Sequence, residues 1–224
     1  MLEPNTWKRE LKRRAAHLWV LKMLVTMGGI ASFFYAYFWV MRHPLSAMTV
    51  MPVTWVDDLV FFFPQSFLLY ISLWVYVSLG SALAKDAREL AAWGGISFAM
   101  AVVGLGIFFV LPTRIPDPAF DWYRYPALQF LRTVDVAGNA CPSLHAAFAV
   151  FTAVVLHGQL TAIRAPRALR VGNVLWGLGI VYSAMATGQH VALDVIAGSL
   201  LAGAASIAYR SAGPRAGSVA VKIP

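Results

Sequence analysis

The sequence predicts an all-α integral membrane protein with six transmembrane helices in one bundle and both termini cytoplasmic. Of the 224 residues, 59% are hydrophobic and only 12% are charged, whereas a soluble domain carries about 25% charged residues. Runs of about 20 apolar residues, the length that crosses a bilayer core, recur along the chain. Lysine and arginine are concentrated in alternate loops, as in proteins that cross a membrane repeatedly.

Six apolar runs account for most of the chain. The first follows the basic segment "WKRELKRRAAH", but it is too long for a signal peptide and no small-residue cleavage site ends it, so we expect a retained helix. The last two runs are almost contiguous, which predicts a tight helical hairpin. The expected spans are residues 18–41, 59–83, 90–111, 144–161, 171–187 and 190–209. The chain then divides into a basic cytoplasmic segment (1–17), one six-helix membrane domain (18–210) and a flexible cytoplasmic tail (211–224).

The distribution of basic residues sets the expected topology. Only four of the 18 lysines and arginines fall in the loops opposite the N-terminus; these are Arg42, Arg114, Arg124 and Arg132. The other 14 lie on the N-terminal side if Lys22 snorkels back from the first span. Because positive charge stays in the cytoplasm, both termini are expected inside. The net charge of +8 is therefore topological and does not indicate nucleic-acid binding. The single Cys141 forms no intrachain disulfide.

Two loops face the opposite side. The first, residues 42–58, contains "SAMTVMPVTWVDD" and is apolar enough to lie along the interface. The second, residues 111–140, has four prolines and an aromatic cluster of Phe120, Trp122, Tyr123 and Tyr125. Aromatic side chains favour the headgroup level, and loops of this length are often lids or binding elements. Both loops are expected on the outer face of the membrane.

The stretch "GNACPSLHAAFAV" places polar residues where the fourth span begins. Ser143 is suited to cap this helix, and Pro142 suits a chain that enters a helix from an extended segment. The amides of the first turn would then point outward, ready to bind an anion. Two crossings separate His145 from His190, so both histidines are expected on the same outer face.

His190 and Asp194 are four residues apart and share one helix face. A carboxylate one turn into the membrane needs a partner. A hydrogen bond to the imidazole supplies it, fixes the tautomer and leaves the other nitrogen as a nucleophile. His145 could protonate a leaving oxygen, and Arg114 could bind phosphate oxygens. Each group also has a structural alternative: helix–helix hydrogen bonds for the histidines, an ion pair for His190 and Asp194, and an interface anchor for Arg114.

Other polar residues receive no role. His157 lies near the cytoplasmic end of the fourth span and is expected to be structural. Asp57, Asp58 and Gln65 belong to no motif and stay unassigned.

These motifs resemble the type 2 phosphatidic acid phosphatase superfamily over about residues 90–205. "CPSLH" is similar to its PSxH signature, "HVALDVIAG" to its HxxxD element, and "LPTRIPDP" to the basic segment that precedes them. The resemblance implies that His190 is the nucleophile forming a phosphohistidine, Asp194 its orienting residue and His145 the general acid. The substrate-binding residues would be Ser143, Leu144 and Gly188.

Two departures from the family pattern concern cations. Position 184, after Ser183, is Ala where the family has Arg, and Ile107 stands where Lys is expected. A site with fewer cations should bind a dianionic monoester less well. The Pro-Ser-Leu-His sequence resembles the branch with inositol phosphorylceramide synthases, which pass a phosphoryl-alcohol group between lipids. Arg114 would be the main cation, with Arg124 or Arg132 reaching in from the long loop.

The leading hypothesis is phosphoryl transfer on a phospholipid or polyprenyl phosphate at the outer leaflet, without metal or cofactor. Water as acceptor would make the enzyme a phosphatase, and an alcohol would make it a transferase. The alternative is a non-catalytic lipid-phosphate-binding protein or a small carrier. A carrier more often has discontinuous helices, and Pro64 is the best candidate for a break. The compact form and short tails favour a bacterial inner membrane with a periplasmic site, and no oligomeric state is indicated.

Overall fold

The computed structural model describes residues 6–117, 124–129 and 138–212. Within them, six helical stretches are long and apolar enough to cross a membrane: Trp19–Arg42, Pro64–Ala82, Ala87–Val110, Leu144–Ala162, Arg167–Ala186 and Ala192–Ala212. The predicted all-α fold class with six spans is confirmed. We call the end of the bundle with residue 6 and Ala212 the terminal end, and the opposite end the site end.

The helices begin and end close to the expected positions. Their bounds are α1 Thr6–Ala16, α2 Trp19–Arg42, α3 Phe67–Ile71, α4 Leu73–Ala82, α5 Ala87–Val110, α6 Leu144–Ala162, α7 Arg167–Ala186 and α8 Ala192–Ala212. The short helix α1 was not predicted as a separate element. It precedes α2 and presents Trp7 and Leu11 to the hydrophobic core.

The second span differs most from its prediction. It begins at Pro64 rather than at residue 59, because the preceding residues form a short 3-10 turn (Asp57–Leu59) and an extended segment. The Phe63 amide donates to the Ala186 carbonyl, 2.8 Å away, and so ties this segment to the end of α7. α3 and α4 meet at Ser72, whose amide donates to Leu68 O at 3.1 Å while its carbonyl accepts from the Tyr76 amide at 2.9 Å. The two helices thus run on as one span.

Helix α6 is the centre of the bundle. It is the most buried of the six spans and packs against α4, α7 and α8. The prediction that α7 and α8 form a tight hairpin is wrong in one respect. Residues 187–191 join them in a short turn, but each helix packs mainly on α6 and contacts the other little.

The loops at the site end are joined by a small parallel ladder. Strand β1 (Thr49–Val50) pairs with β2 (Thr113–Arg114), and Thr113 also pairs with Asn139. The Cys141 amide donates to Thr113 Oγ1 at 2.8 Å. The start of the second loop is therefore fixed to the first loop, and its end is fixed to its own start directly before α6 begins.

Lys22 is covered by protein at the terminal end, with 3% of its surface exposed. Its Nζ donates to the carbonyl oxygens of Arg14 at 2.5 Å and Ala82 at 2.9 Å. Lys22 therefore reaches the terminal end, the side on which it was counted, and its ammonium group is bound there by carbonyl oxygens at the helix ends.

Candidate active site

The first motif forms the start of α6 as expected. Ser143 is the N-cap residue, and its Oγ accepts a hydrogen bond from the Ala146 amide at 3.1 Å. The Ala147 amide donates to the Ser143 carbonyl. Since the first amides of a helix have no partner within it, the amides of Leu144 and His145 are suited to bind an anion.

The second motif forms the predicted pair at the start of α8. His190 Nδ1 lies 3.2 Å from Asp194 Oδ2. The side chain of His190 is 9% exposed and that of Asp194 is fully buried. The His190 amide donates to the carbonyl of Ala184 at 3.0 Å, which fixes the backbone as well as the ring. Within the described part of the chain, the second oxygen of Asp194 is buried without a hydrogen-bond partner.

The two motifs are in direct contact. The Ser143 amide donates to the Asp194 carbonyl at 2.9 Å. At the next turn of α8, Gly198 lies against the backbone of Ser143, where an added Cβ would be 3.0 Å from the Ser143 carbonyl carbon. The field of Asp194 also reaches the loop before α6. Burial, and secondarily the negative charge of Asp194, raises the pKa of the Cys141 thiol.

His145 and His190 line the same cavity, which has a volume of about 220 Å³. Its polar lining includes both histidines and Asn139, and the Asn139 amide donates to the Tyr37 hydroxyl. Most of the remaining wall is aromatic: Phe33, Phe34, Phe38, Tyr70, Trp74, Phe108 and Phe148. The cavity therefore combines a polar site with an apolar, ring-lined body.

Tyr70 is a site residue that no sequence motif indicated. Its ring lies parallel to the His145 imidazole, with the centroids 3.9 Å apart and 5° between the planes. The Nε2 atom of His145 is buried and has no hydrogen-bond partner among the described residues. Tyr70 thus fixes the orientation of the His145 ring. One hint of its placement is present in the sequence: Tyr70 lies only six residues after Pro64, where the second span begins.

Asp57, unassigned from the sequence, supports the second motif. One carboxylate oxygen accepts from the Ala192 amide at 2.6 Å, in the first turn of α8. The other accepts from the amide and hydroxyl of Thr54, at 2.7 and 2.8 Å. Asp57 also lines a second cavity of about 220 Å³ that shares His190 with the first. Because 135 residues separate Asp57 from Ala192, no local pattern predicts this contact.

Two of the three predicted substrate-binding arginines lie within the described residues. Arg114 lies on β2 and faces Asp117, with 3.6 Å between Nη1 and Oδ2. Arg124 is exposed, and Arg132 lies outside the described residues. Of the residues that the structure describes, no lysine or arginine lines either cavity containing His190. The three arginines stay predictions as substrate-binding residues.

The remaining predicted positions are less directly placed. Gly188 forms the turn before His190 with a φ of +67°, and its amide donates to the Met185 carbonyl. It lines the second cavity. Ala184 is fully buried, and Ile107 lies partly exposed on α5 and lines neither cavity. Both positions where the family pattern has a cation are therefore occupied by apolar side chains outside the cavity lining.

Only part of the predicted aromatic cluster can be placed. Tyr125 packs edge-on against Phe62, with 5.3 Å between the ring centroids. Phe120, Trp122 and Tyr123 lie outside the described residues.

Comparison with known proteins identifies the family of the chain. A model of the PAP2 superfamily matches residues 96–217, which is more than half of the chain and includes both motifs. No curated protein and no solved structure matches the chain. The match does not distinguish the inositol phosphorylceramide synthase-like branch, which stays a prediction. This integral membrane protein belongs to the PAP2 superfamily, and its membership supports a phosphatase or phosphotransferase type of activity.

Proposed function

We propose that this protein transfers the phosphoryl-containing group of a lipid phosphate ester through a phosphohistidine at His190. The observation that carries the proposal is the convergence of two motifs on one cavity. His190 is oriented by Asp194 through a 3.2 Å contact, and His145 lines the same cavity. A nucleophile, an orienting carboxylate and an acid in one buried site are the groups that nucleophilic catalysis requires.

In the first step, His190 Nε2 attacks phosphorus, a P–N bond forms, and the bond from phosphorus to the leaving alcohol oxygen breaks. Protonated His145 gives its Nε2 proton to that oxygen, so the alcohol leaves uncharged. In the second step, the oxygen of water or of an acceptor alcohol attacks phosphorus. Its proton passes to His145 and the P–N bond breaks. Asp194 fixes the tautomer and stabilises the charge that develops on the His190 ring.

The phosphate oxygens would be bound at the start of α6. The amides of Leu144 and His145 belong to its first turn, and the positive end of a helix dipole favours an anion there. The lining of both His190 cavities holds no lysine or arginine among the described residues. A phosphodiester, with one negative charge, requires less compensation than a dianionic monoester. This supports transfer of a phosphoryl-alcohol group over hydrolysis of a monoester.

The reaction can be tested with purified protein in detergent. Labelled phosphatidic acid, polyprenyl diphosphate and a phosphatidylalcohol would be supplied with and without an alcohol acceptor, in the presence of EDTA. A new phosphodiester that requires the acceptor would support the transferase, and free phosphate from the monoester would support the phosphatase. His190→Ala should abolish either product, whereas His157→Ala, a change elsewhere on α6, should leave it unchanged.

The phosphohistidine has its own readout. Label retained on the protein after alkaline quenching and released by acid would mark a P–N bond. Equal turnover by the wild type and His190→Ala would contradict catalysis by this residue. Binding of phospholipid without turnover in either protein would instead favour the non-catalytic alternative.

We further propose that the site faces the outer leaflet, in the periplasm if the host is a bacterium. The asymmetry of basic residues supports this orientation. In a Cys141→Ser background, a cysteine at exposed Leu45 should react with an impermeant maleimide in intact cells. A cysteine at Arg167, at the terminal end, should react only after lysis. The reverse pattern would overturn the orientation.

A further inference from the structure

A second, apolar cavity borders the aromatic one. It has a volume of about 370 Å³ and lies between α2, α4 and α5. Its lining includes Val25, Gly28, Gly29, Trp93 and Phe98. This cavity plays no part in the chemistry described above, because neither histidine lines it.

Three residues are common to the two cavities: Phe33, Trp74 and Phe148. The ring of Phe33 lies edge-on to Phe148, with 5.8 Å between centroids, and is 6.4 Å from the ring of Trp74. These three rings form the boundary between the cavity with the histidines and the cavity beyond it, and we call this boundary the constriction. We call the two cavities with this constriction the apolar tract.

The apolar tract has the length and polarity of a lipid. Along α2 its lining runs from Phe38 at the site end to Val25, which is about 20 Å at 1.5 Å per residue. That distance is about two thirds of a 30 Å hydrocarbon core. The two histidines lie at the site end of the tract, whereas the polar lining of the cavity beyond consists of the hydroxyl residues Thr26, Ser32 and Ser97.

We propose that the hydrocarbon chain of the substrate lies in the apolar tract and that the Phe33–Trp74–Phe148 constriction determines which chains pass beyond the first cavity. This inference rests on the proposed function. Apolar chains are bound there because each buried methylene lowers the free energy of the complex. A chain too short to pass the constriction would fill only the first cavity, and a long chain would occupy both.

Two glycines on α2 allow the apolar cavity between α2, α4 and α5 to be filled without disturbing the helices. A Cβ at Gly28 or Gly29 would meet no atom within 4 Å, so a larger side chain there enters open space. Gly95 provides the matched control. It is also helical and equally open, but it does not line the apolar tract.

The experiment compares substrates that share a headgroup and differ in chain length, from about six carbons to about eighteen. Gly29→Leu should lower kcat/KM for the longest chain by about 15-fold, because each lost methylene contributes about four-fold and a leucine displaces at least two. Turnover of the shortest chain should be unchanged, which also shows that the variant is folded. Gly28→Leu should behave like Gly29→Leu, and Gly95→Leu like the wild type.

The outcomes separate the two proposals. If the wild type turns over no lipid phosphate of any length, the proposed function fails. If the wild type is active but Gly28→Leu and Gly29→Leu keep its preference for chain length, the tract assignment fails and the function stands. Replacing Phe148 with Ala should widen the constriction and raise the relative rate for branched, prenyl-type chains. An unchanged preference in Phe148→Ala would overturn the role of the constriction.

Discussion

Replacing Gly198 with alanine tests whether the two motifs must touch. Gly198 is where α8 crosses the start of α6, and its added Cβ would lie 3.0 Å from the Ser143 carbonyl carbon and 3.3 Å from the Ser143 amide nitrogen. Carbon atoms pack at about 3.5–4.0 Å. The Ser143 carbonyl oxygen would lie closer still to this Cβ. The helices would therefore have to separate by at least about 1 Å, since a backbone group cannot move aside as a side chain can.

This displacement has two measurable consequences. Overpacking of this kind costs about 1–3 kcal/mol of stability. The same movement would lengthen the 2.9 Å hydrogen bond from the Ser143 amide to the Asp194 carbonyl. Because a misplacement of about 1 Å at a catalytic site can lower the rate about 100-fold, we expect Gly198→Ala to lose about that factor in kcat.

The control lies on the same helix. A Cβ at Gly203 would meet nothing within 4 Å, so Gly203→Ala should keep wild-type activity and gain up to about 1 kcal/mol from helix propensity. Activity would be measured on the substrate that the wild type uses, and stability by thermal unfolding in detergent. Wild-type kcat in Gly198→Ala would refute the argument that the motifs act through direct backbone contact.

Three further changes probe groups around the nucleophile. Asp194→Asn keeps the size of the side chain but removes its charge; kcat should fall by about 100-fold or more, and a wild-type kcat would exclude the orienting role. Tyr70→Leu removes the ring stacked on His145 and should lower kcat by about 2- to 30-fold. Tyr70→Phe keeps the ring and should stay near the wild type. Equal kcat values in the two variants would show that the stacked ring does not contribute to catalysis. Asp57→Ala removes the acceptor at the start of α8 and should lower the unfolding free energy by about 1–2 kcal/mol, while exposed Asp58→Ala should not; equal unfolding curves for the two would show that the cap is dispensable.

The position of both motifs at one end of the bundle could be predicted from the sequence, because it depends on local spacing and on the number of crossings. His190 and Asp194 are one helical turn apart, and Ser143 has the side chain of an N-cap residue. The two crossings between His145 and His190 then bring the motifs to one end of the bundle. These steps need only helix geometry and the length of a membrane span.

The groups that support the site could not be predicted in this way. Tyr70 meets His145 across 75 residues, and Asp57 meets the start of α8 across 135. Such contacts depend on which helices become neighbours, and apolar periodicity in a membrane does not determine this, because lipid and helix surfaces are equally apolar. The central place of α6 and the limited contact between α7 and α8 escaped prediction for the same reason.

The parallel ladder at Thr113 has a consequence for how this protein could be altered. Thr113 and Asn139 are paired neighbours, so the two ends of the chain segment between them lie side by side. The entropy of closing such an excursion changes only with the logarithm of its length. Residues could therefore be inserted, deleted or exchanged between these anchors as a cassette while α6 keeps its starting position. Libraries built in that interval would vary what approaches the membrane surface without redesigning the helices beneath it.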